Sequence, residues 1–258
     1  MVQNSPERAA QLLVAVRQGQ ERLKDLPEDL RPRSTEQAYA IQDGVIRLLG
    51  PIGGWKVSPK SGHAEPGCSP ISAALIQASP ASLAQSAVPG AEIEVEIEIE
   101  IEIAVTLGHD LPPRATPYTP EDLRAAIAAL HPAVELLSSR FRDRRAAAPL
   151  SLLADSQSNA AVVLGAGLAE WEGLDLREVA MHLRLDREQV AAVNGGAGIE
   201  DVLAALAWLA NHAAARTGGL RKGEVVITGA RIGPWSRGDA TEVEADVAGL
   251  GTVAITFT

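Results

Sequence analysis

Residues 91–107 show the most regular pattern of apolar and polar positions in the chain. A period of two indicates a β-strand, because successive strand side chains point to opposite faces. Glutamate has a low strand propensity, but the isoleucines and the binary pattern decide the assignment. We therefore predict one long strand with an apolar face and a carboxylate face. The apolar positions are Ile93, Val95, Ile97, Ile99, Ile101, Ile103 and Val105, and glutamates occupy the even positions from Glu92 to Glu102.

Helical spacing and capping residues predict four helices along the chain. Ser5 and Thr119 are candidate N-caps, and each precedes a proline, which suits the first helical position. Gly50-Pro51 and Gly218-Gly219 are typical of helix ends. The predicted helices span residues 6–23, 36–49, 119–130 and 199–217.

Short apolar segments predict further strands between these helices. They lie near residues 55–57, 134–137, 160–165, 181–185, 225–228, 242–247 and 252–258, and residues 175–182 form a short helical or connecting piece. Because helices and strands do not alternate regularly, we predict an α+β fold with a mixed or antiparallel sheet or barrel.

The composition narrows the class of protein. The chain has 258 residues, of which 46% are apolar, which suffices for one large domain or a core domain with a helical N-terminal cap. The formal net charge is −10, and acidic chains are poor candidates for binding nucleic acids or anionic membranes. The sequence contains no uncharged apolar stretch of roughly 18 residues, so we predict no membrane span.

Two features bear on the cellular compartment. Glu7 and Arg8 stand where a secretory signal would have its apolar core, so we predict no signal peptide. Cys68 is the one cysteine of the chain and cannot form an internal disulfide. Both features favour a cytoplasmic protein.

The carboxylate face of the long strand is a candidate metal site. Glutamates two positions apart share a face and lie roughly 6.6–7 Å apart along the strand, so two of them can bind one ion. A hard cation such as Mg²⁺ takes oxygen ligands at about 2.1 Å. The alternative is a solvated edge face, although like charges in a row destabilise a strand unless they are neutralised. The pattern alone does not choose which pair of glutamates would bind the metal.

Other charged residues add to this picture. Glu135 lies in the apolar segment Ala-Val-Glu-Leu-Leu, and a buried carboxylate needs a partner, which favours a ligand role. A basic cluster is interpreted as a solvated loop, and it comprises Arg140, Arg142, Arg144 and Arg145.

Seven segments, in the same order along the chain, resemble one known family. The segment from Glu100 to Pro112 resembles the E-x-E-I-A-x-x-L-G-x-D-L-P stretch of the fumarylacetoacetate hydrolase superfamily, and more narrowly its 2-oxopent-4-enoate hydratase and 4-oxalocrotonate decarboxylase branch. The other matching segments are Gln37–Gln42, Gly54–Val57, Pro132–Arg140, Leu153–Gly165, Trp208–Asn211 and Gly223–Gly229.

The resemblance implies a set of functional residues. Its metal ligands would be Glu100, Glu102 and Glu135, and its active-site lysine would be Lys56. Asp155 would be a catalytic carboxylate beside the substrate or behind the ligands, although it could instead only form a turn. The residues expected to contact the substrate are Ser158, Arg140 and Thr228, and Arg140 could instead pair with a glutamate. Glu92 to Glu98 would then form a solvated extension.

The resemblance also implies a fold and an assembly. The fold would be a mixed β-roll or barrel of the fumarylacetoacetate hydrolase C-terminal type with N-terminal helices. Residues 1–80 would form the N-terminal helical region with the lysine loop, and residues 81–258 the metal-binding catalytic domain. We also expect a homo-oligomer, and a complex between a hydratase and a decarboxylase is a further expectation.

Several positions depart from the branch's usual pattern. Ser138 stands where an aspartate is usual before Ser-Arg, and Ser156 stands where an asparagine usually follows Asp155. Val57-Ser58-Pro59 replaces Gly-Leu-Thr, and Ala230 replaces a serine. These departures affect the substrate pocket more than the metal site, so they put the substrate in question and leave the metal prediction standing.

The activity implied by the resemblance is a metal-dependent hydratase that adds water to 2-hydroxy-2,4-dienoates in aromatic catabolism. Mg²⁺ or Mn²⁺ would stabilise enolate charge on a small 2-oxo acid as a Lewis acid. Lys56, with a pKa lowered by burial near the cation, would move protons. The alternatives are a 4-oxalocrotonate-type decarboxylase, an acylpyruvate C–C hydrolase and a non-catalytic family member.

Overall fold

The computed structural model describes residues 5–58, 66–84 and 97–258. Capping residues mark where its helices begin, as the side chain of Ser34 accepts a hydrogen bond from Gln37 N, and Thr119 and Asp122 form a reciprocal capping box. Among the described residues, no helix is long and apolar enough to cross a membrane. The helices are α1 (Ser5–Arg17), α2 (Thr35–Leu49), α3 (Pro120–Ala126), α4 (Pro149–Ala154) and α5 (Ile199–Arg216).

Within the described residues, thirteen strands form two mixed sheets. They are β1 (Ile52–Ser58), β2 (Gly67–Ser72), β3 (Ile76–Ala78), β4 (Ala81–Leu83), β5 (Glu98–Leu107), β6 (Ile127–Leu137), β7 (Asn159–Leu164), β8 (Ala180–Leu185), β9 (Glu188–Asn194), β10 (Val225–Ile227), β11 (Ile232–Ser236), β12 (Glu242–Val247) and β13 (Gly251–Phe257).

The larger sheet has the order β2-β1-β10-β5-β6-β7-β3, and β11 also pairs with β5. The smaller sheet has the order β4-β13-β12-β8-β9. Parallel pairs such as β1–β10 occur beside antiparallel pairs such as β5–β6. The predicted α+β class is therefore confirmed, and the described strands form two mixed sheets that do not close into a barrel.

The long strand β5 separates two environments. Its odd-numbered isoleucines, such as Ile101 and Ile103, are fully buried in the main apolar cluster, which also contains residues of α5 and of the smaller sheet. Ala104, which has the opposite parity, belongs to a smaller cluster with Ala133 and Val162. The alternation in the sequence therefore places the carboxylates of β5 on the second face.

Two helix predictions differ from the structure in length. The helix predicted for residues 119–130 ends at Ala126, and Ile127 has the extended conformation that begins β6. His131 precedes a proline, which disfavours helix, and pairing with β5 along the whole of β6 outweighs helix propensity. The first helix ends at Arg17 instead of residue 23, and Gly19 follows with φ +107°.

Elements that the periodicity did not predict are short or exposed. Strand β9 is mostly exposed, so it has weak apolar periodicity, and it pairs with β8 through the turn residues Asp186 and Arg187, both with positive φ. Helix α4 and strand β11 were also not predicted. The division at residues 80/81 stays a prediction, and strands β1 to β3, which precede it, lie in the same sheet as β5.

Gly54→Ala tests the packing that joins β1 to the sheet. A Cβ at Gly54 would lie 2.4 Å from Val225 O on the neighbouring strand β10, so the pair must separate. We expect the substitution to lower the free energy of unfolding by about 1–3 kcal/mol, measured by urea denaturation. Gly173→Ala is the matched control, because a Cβ there meets nothing within 4 Å. Equal midpoints for the two variants would contradict this packing.

Candidate active site

Three glutamates meet on the second face of β5 and β6. Glu100 and Glu135 are direct partners in the antiparallel register, and Glu102 lies two residues further along β5. Directly opposed side chains of an antiparallel pair project to the same face. One carboxylate oxygen from each of Glu100, Glu102 and Glu135 lies within 4.8 Å of the others. The structure thus brings together the three predicted metal ligands.

These carboxylates are buried, and their oxygens have few partners. Glu102 and Glu135 are 0% exposed. Glu135 accepts hydrogen bonds from Asn159 Nδ2 at 2.8 Å and from Lys56 Nζ at 2.6 Å. Glu102 Oε2 accepts from Gly229 N at 2.6 Å. The other oxygen, Glu102 Oε1, is buried and has no hydrogen-bond partner in the described part of the chain.

Lys56 is the cation nearest to this cluster. It extends from β1, and its Nζ also lies 3.5 Å from Glu100 Oε2. Burial alone would lower the pKa of Lys56, but the charges of Glu135, Glu100 and Glu102 outweigh burial and raise it well above its ordinary value. The lowered pKa that the sequence analysis expects for Lys56 concerns a site with a cation bound, and it stays a prediction.

The electrostatics of the cluster favour an added cation. Burial, followed by the charge of Glu135, raises the pKa of Glu102 well above its ordinary value. Burial also raises the pKa of Glu100, against the opposing effect of Lys56. Carboxylates crowded in this way resist ionisation unless a positive charge joins them. An oxygen donor set with one unsatisfied atom fits a hard divalent cation.

Arg140 and Asp155 pair with each other behind the glutamates. Arg140 Nε donates to Asp155 Oδ1, while Asp155 Oδ2 accepts from Ser139 Oγ at 2.9 Å and from Arg140 N at 3.1 Å. Arg140 Nη1 also donates to Asn159 O at 3.1 Å. The pair thus contacts Asn159, the residue that holds Glu135. A direct catalytic role for Asp155 and a substrate contact for Arg140 stay predictions.

Ser158 and Thr228 are buried beside these elements. Thr228 Oγ1 donates to Ile103 O at 3.0 Å, which ties the end of β10 to β5. The backbone of Ser158 joins Asp155 O and Ser138 N at 3.1 and 2.9 Å. Their predicted contacts with substrate remain predictions.

Glu98 has a different environment from the one expected. It is 7% exposed and pairs with Arg144 and Arg145 of the basic cluster. The prediction of a solvated glutamate is therefore wrong at Glu98, because the two arginines neutralise it. The prediction of a solvated loop holds for the exposed Arg145 and is wrong for the buried Arg140. Glu92, Glu94 and Glu96 lie outside the described residues.

Sequence reasoning missed two residues that hold the ligands. Asn159 lies at the start of β7, and Gly229 follows the Val225–Ile227 strand. A buried asparagine or a backbone N–H has no distinctive spacing in a sequence. Only the paired strands reveal that both groups donate to glutamates of the cluster.

Comparison with known proteins gives a consistent picture. The sequence model of the Fumarylacetoacetate (FAA) hydrolase C-terminal family matches residues 51–258. A 2-keto-4-pentenoate hydratase of Burkholderia vietnamiensis (strain G4 / LMG 22486) is 37% identical over 60% of this chain and 58% of its own length. A 4-oxalocrotonate decarboxylase of Pseudomonas sp is 28% identical over 54% of each chain. The chain thus spans less than two thirds of the curated relatives it matches.

A solved structure extends the similarity over the whole chain. The 4-oxalocrotonate decarboxylase from Pseudomonas putida G7, complexed with calcium and acetate, superposes with a TM-score of 0.82. The match covers 100% of this chain and 99% of that chain at 22% sequence identity. At this identity the similarity establishes the fold.

Glu102→Gln tests the crowding of carboxylates through its pH dependence. The pKa of Glu102 is raised in the folded state, so protonation of Glu102 stabilises the fold. This stabilisation is fully present below about pH 4.5 and is lost as the pH rises through the folded-state pKa. A glutamine stays neutral, so in EDTA the variant should exceed the wild type by about 1 kcal/mol or more at pH 8 and by little at pH 5. Thermal unfolding at both values measures this, and a variant less stable at pH 8 contradicts it.

Asp155→Asn tests the buried pair behind the cluster. The change leaves the Arg140 guanidinium, whose side chain is 2% exposed, without its carboxylate. Arg140 also repels a second buried cation, since burial and the charge of Arg140 lower the pKa of Arg17 to about 9, whereas the charge of Asp155 raises it. We expect a loss of about 3–5 kcal/mol in the free energy of unfolding, measured by urea denaturation. The control Asp175→Asn removes a surface partner of Arg177 and should leave the midpoint unchanged, so similar midpoints for both variants would refute the role of Asp155.

Proposed function

Because the chain belongs to the fumarylacetoacetate hydrolase C-terminal family, we propose that it is a divalent-metal-dependent hydratase that adds water to 2-hydroxy-2,4-dienoates. The observation that carries this proposal is Glu102 Oε1, a buried carboxylate oxygen without a partner among the described residues, within a cluster of three carboxylates. Lys56 Nζ pairs with Glu135 and Glu100, whereas Glu102 Oε1 stays available as an oxygen ligand.

Glu100, Glu102 and Glu135 would hold Mg²⁺ or Mn²⁺. The metal would supply Lewis-acid stabilisation of negative charge on the C2 oxygen of a 2-oxo or 2-enol acid. Support for the ion comes from the donor set and from relatives whose structures are described as complexes with calcium, magnesium or Mn²⁺. Each of those descriptions applies to its own protein.

Lys56 would carry the proton of the reaction at Nζ. Its ammonium is held against Glu135 Oε2, in a site where Lys56 is 8% exposed and bulk water has little access. A cation shared by Glu135 and the other glutamates would weaken the hold of these carboxylates on the ammonium. The pKa of Lys56 would then fall from its raised value towards the range useful in acid–base catalysis.

The residues behind the cluster would orient the ligands. Asn159 orients one oxygen of Glu135, and Gly229 N orients one oxygen of Glu102. Hydrogen-bond partners of metal ligands commonly have this role. Asp155 would act through Arg140, which reaches Asn159 O. Ser158 and Thr228, at the ends of neighbouring elements, remain candidates for contact with substrate.

The alternative with specific support is a 2-oxo-enedioate decarboxylase. Hydratases are 32–37% identical to this chain, which favours hydration, whereas two decarboxylases are 28% and 27% identical. Both reactions use the same stabilisation of charge at C2, so the carboxylate cluster serves either. An acylpyruvate hydrolase and a non-catalytic member have less support. Homo-oligomer formation, a hydratase–decarboxylase complex, a cytoplasmic location and a role in aromatic catabolism are part of this proposal.

Glu135→Gln and Glu102→Gln test the function directly. In the wild type we expect the dienol absorbance to fall in a Mg²⁺-dependent reaction that releases no CO₂. In each variant we expect the turnover rate to be lower by roughly hundredfold or more. Mg²⁺ at a hundred times its Kd should stabilise the wild type by about 2.7 kcal/mol and the variants much less. Glu188→Gln, an exposed glutamate of β9, is the charge-matched control.

Two outcomes would change the conclusion. Release of CO₂ from a 2-oxo-enedioate, with no hydration of the dienol, would assign the decarboxylase. If both variants keep the turnover and the Mg²⁺-linked stabilisation of the wild type, the metal site is refuted.

A further inference from the structure

A left-handed turn connects α4 to β7. Ser156, Gln157 and Ser158 have φ values of +53°, +53° and +68°. Residues other than glycine rarely adopt this conformation singly, and three in succession is a costly arrangement. Strain of this kind persists only where the surrounding structure holds it, and it is concentrated at functional sites.

The turn directs the side chain of Gln157 to the strands that carry Lys56. Gln157 Nε2 donates to Ser58 Oγ, and Gln157 Oε1 accepts from Ser69 Oγ at 3.2 Å. Ser69 is the cross-strand partner of Lys56 in the β1–β2 register. Ser58 lies two residues beyond Lys56 on the same strand. Both serines therefore share a face with Lys56, and the carboxamide bridges them there.

A second glutamine, Gln42, fixes the orientation of the Ser69 hydroxyl in this bridge. Gln42 Nε2 donates to Ser69 Oγ at 3.0 Å. The Ser69 hydroxyl is thereby oriented to donate its own hydrogen to Gln157 Oε1. Gln42 is 0% exposed and Ser69 is also fully buried, so the network is fixed within the protein.

The same turn also leads to the partner of Lys56. Asn159 directly follows the turn and donates to Glu135 Oε1 at 2.8 Å, while Lys56 Nζ donates to Glu135 Oε2 at 2.6 Å. The turn is held at both ends, since Asp155 pairs with Arg140 and Arg17 Nη2 donates to Asn159 O at 2.6 Å. The turn and the residue after it thus reach the serines that flank Lys56 and the carboxylate that pairs with Lys56.

We propose that Gln157 is a positioning residue for Lys56, and that the left-handed turn is retained because it places the Gln157 carboxamide across Ser58 and Ser69. This inference rests on the proposed function in so far as Lys56 carries the proton. It predicts that the position and reactivity of Lys56 depend on the carboxamide and not on the stability of the turn.

Two substitutions at residue 157 separate these properties. Gln157→Ala removes the carboxamide and keeps a residue that is strained at this φ, whereas Gln157→Gly removes the carboxamide and relieves the strain. Ser156→Gly relieves strain beside it and leaves the carboxamide in place. We expect the unfolding temperature of Gln157→Ala to lie below that of Gln157→Gly, and that of Ser156→Gly to rise by about 2 °C.

The first readout needs neither metal nor substrate. In EDTA, acetic anhydride acetylates accessible lysines, and mass spectrometry compares Lys56 with the exposed Lys222 of the same chain. Both substitutions of Gln157 should raise the relative acetylation of Lys56 by roughly five- to tenfold, the factor expected for loss of about one net hydrogen bond. Ser156→Gly should leave it unchanged.

The second readout is the steady-state reaction with Mg²⁺. Both Gln157 variants should lower kcat by roughly tenfold with little change in KM, and should shift the basic limb of the pH profile. Gln157→Glu, which keeps the length and one acceptor, should recover part of the loss. Ser156→Gly should retain the wild-type profile.

Acetylation of Lys56 that follows the unfolding temperature instead of the carboxamide would overturn the proposal, because Gln157 would then be a structural brace only. Unchanged acetylation in both Gln157 variants would overturn it as well. A wild type that is inactive on dienols would refute the proposed function, while the acetylation ratios in EDTA would still test the placement of Lys56.

Discussion

The crowding of three buried carboxylates against one ammonium is the constraint on which the rest of the structure depends. Glu100 and Glu135 are direct partners in the observed register of β5 and β6, and Glu102 shares their face. A slip of one residue would turn the glutamates into the main apolar cluster and the isoleucines away from it. The burial of Ile99, Ile101 and Ile103 therefore also determines where the carboxylates lie.

The surroundings of the cluster relieve this repulsion incompletely. Lys56 contributes one positive charge, and Asn159 and Gly229 contribute one N–H donor each. Glu102 Oε1 stays without a partner among the described residues. A small cation bound by all three residues would satisfy that oxygen and release Lys56 from Glu135. A cluster of this kind would be more stable with a cation bound than without one.

The sequence predicted strand β5 and its metal-ligand candidates, but it did not predict the full length of β6, the burial of Glu98 or the network at Gln157. Strict alternation predicted β5, and the Ile-Ala-Val-Thr-Leu-Gly continuation pointed to Glu100 and Glu102. Strand β6 was partly mistaken for helix, because residues 127–130 have helix-compatible spacing and only their pairing with β5 makes them a strand. The burial of Glu98 depends on arginines 46 and 47 residues away. The network at Gln157 depends on backbone angles that no local pattern encodes.

The central claim is that these three glutamates hold one divalent ion. The most direct measurement is anomalous diffraction from crystals soaked in Mn²⁺, which locates the metal without reference to activity. We predict one strong anomalous peak per chain among Glu100, Glu102 and Glu135, with Lys56 Nζ moved away from Glu135 Oε2. A peak on Glu96 and Glu98, or one remote from Glu102, would contradict it.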